Sequence, residues 1–348
     1  MICSFIIVFI FLEIMLRFFY PQPLYNECYN YWTDPTISGV RYDNATGWWP
    51  KENYTHCFYH FITNKKAYIV HNSEGLRLDK DINIEKTNDT IRVILLGDSF
   101  VYGYGLDQNE TINYKLQYLL GNSYEVIPLS SIGFSTDQEF IALRDKGIKY
   151  KPDMVILFLY ANDVIANAHP IQHQRLKPHY TIDRSTKKLY LDNYPVPNNT
   201  VNRTDADKLI VGSVSKFLLG RSHLYSLLYF GVHSEIFKQK LKRSYFKDSG
   251  RIEGDILTIE VYQHRSQEVI LSLSYYITFE IIEKFEQLAK ENNFKFIIVS
   301  IPSKLHLCKS AQRAFVEQYY DVNESFFNFN QYHMTIQNRL HDKNISLL

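Results

Sequence analysis

Charge of one sign is missing from this sequence. The 348 residues carry 38 Lys and Arg against 37 Asp and Glu, a formal net charge of +1 at pH 7. A nucleic-acid footprint or a strongly acidic ligand calls for a charge surplus, so neither is implied. No internal repeat and no low-complexity tract occurs. Cysteine is scarce, with 4 in all and no Cys-x-x-Cys, which argues against a thiolate zinc site. No His/Asp/Glu cluster has metal-ligand spacing either. Three familiar motifs fail. A nucleophile elbow, Gly-x-Ser-x-Gly around Ser99, would need glycine at 101, where Val101 stands. A dinucleotide fingerprint from Gly103 would need glycine at 108, where Gln108 stands. A P-loop is absent. No cofactor is therefore implied.

The composition that remains is 45% hydrophobic and 22% charged. Such a chain is globular and long enough for one large domain or two ordinary ones. Tyrosine (27) and phenylalanine (23) are abundant, which mostly serves packing, with a sugar-binding surface as the lesser reading. The N-terminus, "MICSFIIVFIFLEIMLRFFYPQP", is almost wholly apolar up to Glu13. A spanning helix needs about 20 apolar residues, which this segment reaches if Glu13 is tolerated, near an interface or paired with Arg17 one turn later. With no basic n-region and no small-residue cleavage site, residues 1–20 read as an uncleaved membrane anchor. The alternative is a buried first helix. Asn44, Asn53, Asn88, Asn109, Asn198, Asn202, Asn323 and Asn344 each begin an Asn-x-Ser/Thr sequon. Cys28 and Cys57 flank a Trp/Tyr-rich segment and could form a disulfide. Both features favour an extracytoplasmic domain.

Residues 21–90 read as a loop-rich extension that wraps a later core, and residues 91–348 as an α/β domain. Short continuous apolar runs at Ile91–Leu96, Tyr124–Leu129, Met154–Leu159 and Phe294–Ile301 have the character of buried parallel strands. Helical spacing marks Asn109–Leu120 with Gly121 as its stop, Thr136–Lys146, Tyr275–Asn292 and Gln331–His341. The alternation argues for a doubly wound sheet, which binds ligands beyond the carboxyl ends of its strands. It lapses over residues 166–262. There "KPHYTIDRSTKKLYLDNYP" looks like a hairpin and "KLIVGSVSKFLLGRSHLYSLLYFGVHSEIFKQKL" like amphipathic helices, together an inserted cap, lid or membrane-facing patch.

The first strand runs into "GDS", Gly97-Asp98-Ser99. Alone, a serine after an aspartate at a strand end is more often a helix cap than a nucleophile. Two later strand ends change the balance. The second strand is followed by "SSIGFSTDQ", where Gly133 can bring a backbone N–H close to a ligand. The third is followed by "YANDV", where Asn162 can aim an amide donor into the same crevice. A nucleophile with oxyanion donors is what acyl transfer needs.

In order and spacing, Gly97-Asp98-Ser99, Gly133 and Asn162-Asp163 resemble the first three sequence blocks of the SGNH/GDSL hydrolase superfamily. "NSEGLR" before the first strand and the N-terminal apolar segment look like its membrane-anchored branch, which acts on cell-surface polysaccharides. The resemblance covers residues 70–165 well and 270–305 loosely. It implies a flavodoxin-like three-layer sheet and an esterase or O-acetyltransferase acting on an acylated small molecule or polysaccharide. Carried over by position, Ser99 is the nucleophile; the N–H groups of Ser99 and Gly133 and the Asn162 side chain form the oxyanion hole. Asp98 and Asp163 read as local hydrogen-bonding residues. The family's general base sits in a C-terminal Asp-x-x-His block, and no Asp-x-x-His occurs here. Residues 345–348 read as the start of the last strand, so the chain is expected to be truncated and weak or inactive. His169, His173, His179, His306 and His333 are weak candidates for a substitute base. A rival reading is a non-catalytic SGNH-like domain that binds glycan or assists assembly; an unrelated nucleotide binder is weaker still. Oligomeric state is not legible.

Overall fold

A computed structural model describes residues 2–22, 39–60, 65–87, 89–172, 175–198 without 184 and 187, 217–218, 221–228, 268–318, 328–342, 345 and 347. The chain divides into two compact units. One comprises residues 1–39, 56–69 and 203–251, the other 40–55, 70–202 and 252–348.

The first unit opens with helix α1, Ile2–Phe19. Glu13 and Arg17 pair one turn apart at 2.9 Å, as their spacing suggests. Among the described residues no helix is long and apolar enough to cross a membrane. Cys57 is disulfide-bonded; its expected partner Cys28 lies outside the described residues.

The second unit contains hairpin β1–β2 (Val40–Asp43, Gly47–Pro50). A further strand pair, β3–β4 (Thr55–His60, Lys65–Val70), lies mostly in the first unit. The stretch 21–90 thus holds two hairpins. Its tryptophans do cover the later core: Trp48 and Trp49 are buried, both against Phe134, and Trp48 Nε1 donates to Ile132 O at 3.0 Å.

The core is a four-stranded parallel sheet of β5 (Ile91–Gly97), β6 (Tyr124–Ser130), β7 (Met154–Leu159) and β12 (Lys295–Ser300), in the order β12-β7-β5-β6. These strands match the four apolar runs to within a residue. Ile94, Leu95 and Leu96 are fully buried, as a strand covered on both faces must be. A parallel bridge Ile298↔Leu347 starts a further pairing beside β12. This is an α/β fold with the pairing order of a doubly wound sheet.

The expected helices are present, with shifted starts for those expected at 109–120 and 275–292 and an interruption in the one expected at 136–146. After the single turn α2 (Ser99–Tyr102) comes α3, Ile112–Leu120, stopped by Gly121 at φ 76°. The expected helix 136–146 is instead α4, Thr136–Ala142, followed by a π turn, Leu143–Gly147. Tight packing marks the break: a Cβ on Gly147 would lie 2.6 Å from Leu129 Cδ1. Next come α5, Ala161–Ala166, the two-residue strands β8 and β9 (Ile171–Gln172, Arg175–Leu176), and the expected hairpin, β10 (His179–Ile182) with β11 (Leu189–Asp192). Helix α6, Glu268–Asn292, leads into β12. Short helices α7 (Lys304–Leu307) and α8 (Lys309–Gln318) precede α9, Gln331–Asp342.

Phe285 locks α6 to the sheet. Its ring stacks on Phe296 of β12 at 5.2 Å and meets Phe140 of α4 edge-on at 5.1 Å. Since Phe285 is fully buried, Phe285→Ala is expected to cost about 3–5 kcal/mol. A urea titration checks this; a midpoint equal to that of the parent chain would show that the contact carries no such weight.

Candidate active site

Ser99 sits where β5 turns into α2. A Cβ on Gly97 would lie 2.3 Å from Val101 Cγ2, so glycine lets the turn close. Asp98 is the N-cap: its Oδ1 accepts from Phe100 N at 2.9 Å. Its Oδ2 accepts from Asn162 Nδ2 across the sheet edge at a long 3.5 Å. The Ser99 hydroxyl lies against the same carboxylate. Gly103 ends the turn at φ 80°, in the left-handed region.

Three strand ends meet here. β5, β6 and β7 are adjacent and parallel, and their carboxyl ends lead to Ser99, Gly133 and Asn162. Gly133, at φ 73°, occupies the turn between β6 and α4. The N–H groups of Ser99 and Gly133 donate to no acceptor among the described residues. Asn162 Oδ1 is buried without a partner. The rings of Phe100 and Tyr160, just beyond the β5 and β7 ends, have centroids 4.7 Å apart. Asp98 and Asp163 have the local roles expected of them. Asp163 Oδ2 accepts from Tyr160 N at 2.9 Å, closing the first turn of α5.

Beneath α2 lies a support that sequence reasoning did not assign. Arg77, from "NSEGLR", is buried, and its Nη1 donates to Tyr102 O at 2.7 Å and Gly103 O at 2.6 Å. Its Nη2 donates to Leu106 O at 2.5 Å. His71 completes the floor. Its Nδ1 donates to Lys51 O at 2.9 Å, so Nε2 accepts from Tyr102 Oη at 2.8 Å. Burial pulls the His71 pKa down to about 4, which keeps this neutral tautomer at neutral pH.

Behind Asp98 lies a buried acidic group. Asp98, Asp137, Glu139 and Asp163 are all buried, and among the described residues the cation paired with this group is Lys177, on Asp137. Neither carboxyl oxygen of Glu139 has a hydrogen-bond partner, nor does Asp163 Oδ1. Burial, then the mutual repulsion of the acids, holds Glu139 and Asp163 well above the usual carboxylate range. Burial pushes Asp98 up to about 6. Among the described residues, no three His, Cys, Asp or Glu side chains are placed to hold a metal ion.

No histidine bonds Ser99 among the described residues. His169 and His179 lie near Lys177, both held down first by burial. His179 faces Asp192 at 3.8 Å. His173 falls outside the described residues. His306 and His333 stack at 3.8 Å, and His333 Nδ1 lies 3.2 Å from Ser300 Oγ at the end of β12. Burial, then His306, lowers the His333 pKa to about 4. Residues spread over three elements left no sequence signal for this group. The chain matches no known family model and no curated protein.

Two outcomes follow from the supports. Arg77→Lys keeps the charge but loses the fork, so stability should fall by roughly 2–4 kcal/mol in chemical denaturation. No change would mean that a single ammonium replaces the guanidinium's bonds to Tyr102, Gly103, Leu106 and Gln108. Glu139 binds its proton more tightly in the fold than in the unfolded chain, so its contribution fades as pH rises through the raised value. Glu139→Gln cannot ionise. Its melting temperature should match that of the parent near pH 4 and exceed it increasingly toward pH 8. Parallel curves would show that Glu139 titrates normally.

Proposed function

We propose that this chain is a serine hydrolase or O-acyltransferase of the SGNH/GDSL type, acting on acyl esters of a small molecule or a surface polysaccharide. One observation carries the reading: three adjacent parallel strands end just before Ser99, Gly133 and Asn162, and the Ser99 and Gly133 N–H groups donate to no acceptor among the described residues. In this reading Ser99 Oγ attacks the ester carbonyl carbon. Negative charge develops on the carbonyl oxygen, which the Ser99 and Gly133 N–H groups and Asn162 Nδ2 stabilise. The ester C–O bond then breaks, the proton lost from Ser99 Oγ passes to the leaving oxygen, the alcohol departs and an acyl-Ser99 ester remains. Water or an acceptor hydroxyl completes the cycle. Hydrolysis and transfer share this chemistry.

A neutral serine hydroxyl needs a base, and no histidine nitrogen reaches Ser99 among the described residues. Slow acylation is therefore the expectation of this reading. The same observation supports a second reading, a non-catalytic domain that binds glycan or assists its assembly. Membrane attachment through α1 and an extracytoplasmic site belong to the proposal. Supporting them, the side chains of residues 7–12 are all apolar and exposed, and the sequon asparagines Asn44, Asn53, Asn109 and Asn198 are exposed too.

A fluorophosphonate probe on the purified chain tests the reading. Slow labelling that disappears in Ser99→Ala is expected. Labelling that persists in Ser99→Ala would remove Ser99 as the nucleophile. Rapid labelling of Ser99 would show that a base is present. Glycan binding that survives Ser99→Ala, with no labelling at all, would favour the second reading.

A further inference from the structure

We propose that residues 217–218 and 221–228 belong to a second lipid-contacting element, seated beside α1 in one bilayer face. The proposal rests on the membrane attachment of α1. Both belong to the same compact unit.

Residues 7–12 of α1 are consecutive, apolar and exposed. At about 100° per residue they cover every face of the helix. A protein partner covers one stripe of a helix, whereas lipid covers all of it. At 18 residues and about 1.5 Å rise each, α1 falls just short of a hydrocarbon core about 30 Å thick, which suits insertion from one side.

The only charges on α1, Glu13 and Arg17, both turn toward residues 221–224. The Glu13 carboxylate accepts from Ser222 Oγ, His223 N and Leu224 N, each at 2.9 Å. It thereby caps the helical turns over residues 223–228. Arg17 donates to Glu13 at 2.9 Å and to Arg221 O at 2.7 Å. Gln22 N donates to His223 Nδ1 at 2.8 Å. A carboxylate beside lipid is costly unless its lone pairs are filled, and these donors fill them. The polar groups of both elements thus meet each other, while Phe217 and Leu228 face outward, 58% and 54% exposed. Arg221 stands over the Phe217 ring at 4.2 Å. Two guanidinium groups against one carboxylate leave this end positive, matching anionic headgroups.

The test uses the full chain bound to phosphatidylcholine–phosphatidylglycerol vesicles, with and without brominated acyl chains. Tryptophan is introduced singly as Phe9→Trp, Phe217→Trp or Leu228→Trp, and the parent's own fluorescence is subtracted. Bromolipid quenching comparable to that of Phe9→Trp is expected at one or both of the other sites. Quenching in Phe9→Trp alone would overturn the proposal and leave the attachment of α1 standing. No quenching at any site would overturn both.

Discussion

The buried guanidinium of Arg77 carries the geometry on which the crevice depends. A one-turn helix cannot hold itself together, because it makes too few internal bonds to offset the ordering of its backbone. α2 is such a helix. Its N-terminus is fixed by Asp98 and its C-terminus by Arg77, which gathers the carbonyls of Tyr102, Gly103 and Leu106 on one rigid fork. The arginine comes from a loop that precedes the sheet in sequence. The extension is therefore a structural part of the strand-end turn.

The Asp98 carboxylate answers to two demands. It must accept the Phe100 N–H as a cap, and it must tolerate three other buried acids behind it. Lys177 is paired with one of these acids, Asp137. Burial, then repulsion from neighbouring acids, holds Glu139 and Asp163 well above the usual carboxylate range, and burial pushes Asp98 up to about 6. The carboxyl beside Ser99 is raised by its own burial and lowered by the Phe100 N–H, Asn162 and Ser99 that bond it.

The sheet was legible because buried parallel strands leave uninterrupted apolar runs, and all four were found within a residue. The position of Ser99, Gly133 and Asn162 after three adjacent strands was legible too, since each follows closely on such a run. Other features depended on three-dimensional contacts that a linear pattern does not encode. From a turn-rich loop, Arg77 bonds the Tyr102 carbonyl and His71 the Tyr102 hydroxyl of α2. Glu139 lies on a helix buried on every side, where a charged residue reads as solvent-facing. The π turn at Leu143–Gly147 reflects crowding against Leu129, a contact between elements.

The order of strands in the sheet also shapes how the chain is built. β5 pairs with β6 and β7, whose partners lie within about 65 residues of sequence, whereas Phe296 of β12 must find Val155 across the whole insertion. Closing the longer loop is slower and entropically dearer. The three strands that carry Ser99, Gly133 and Asn162 can therefore associate while the chain emerges from the ribosome, before the insertion exists. The crevice is then an early product of folding, with the fourth strand and its histidine pair added to an edge already in place.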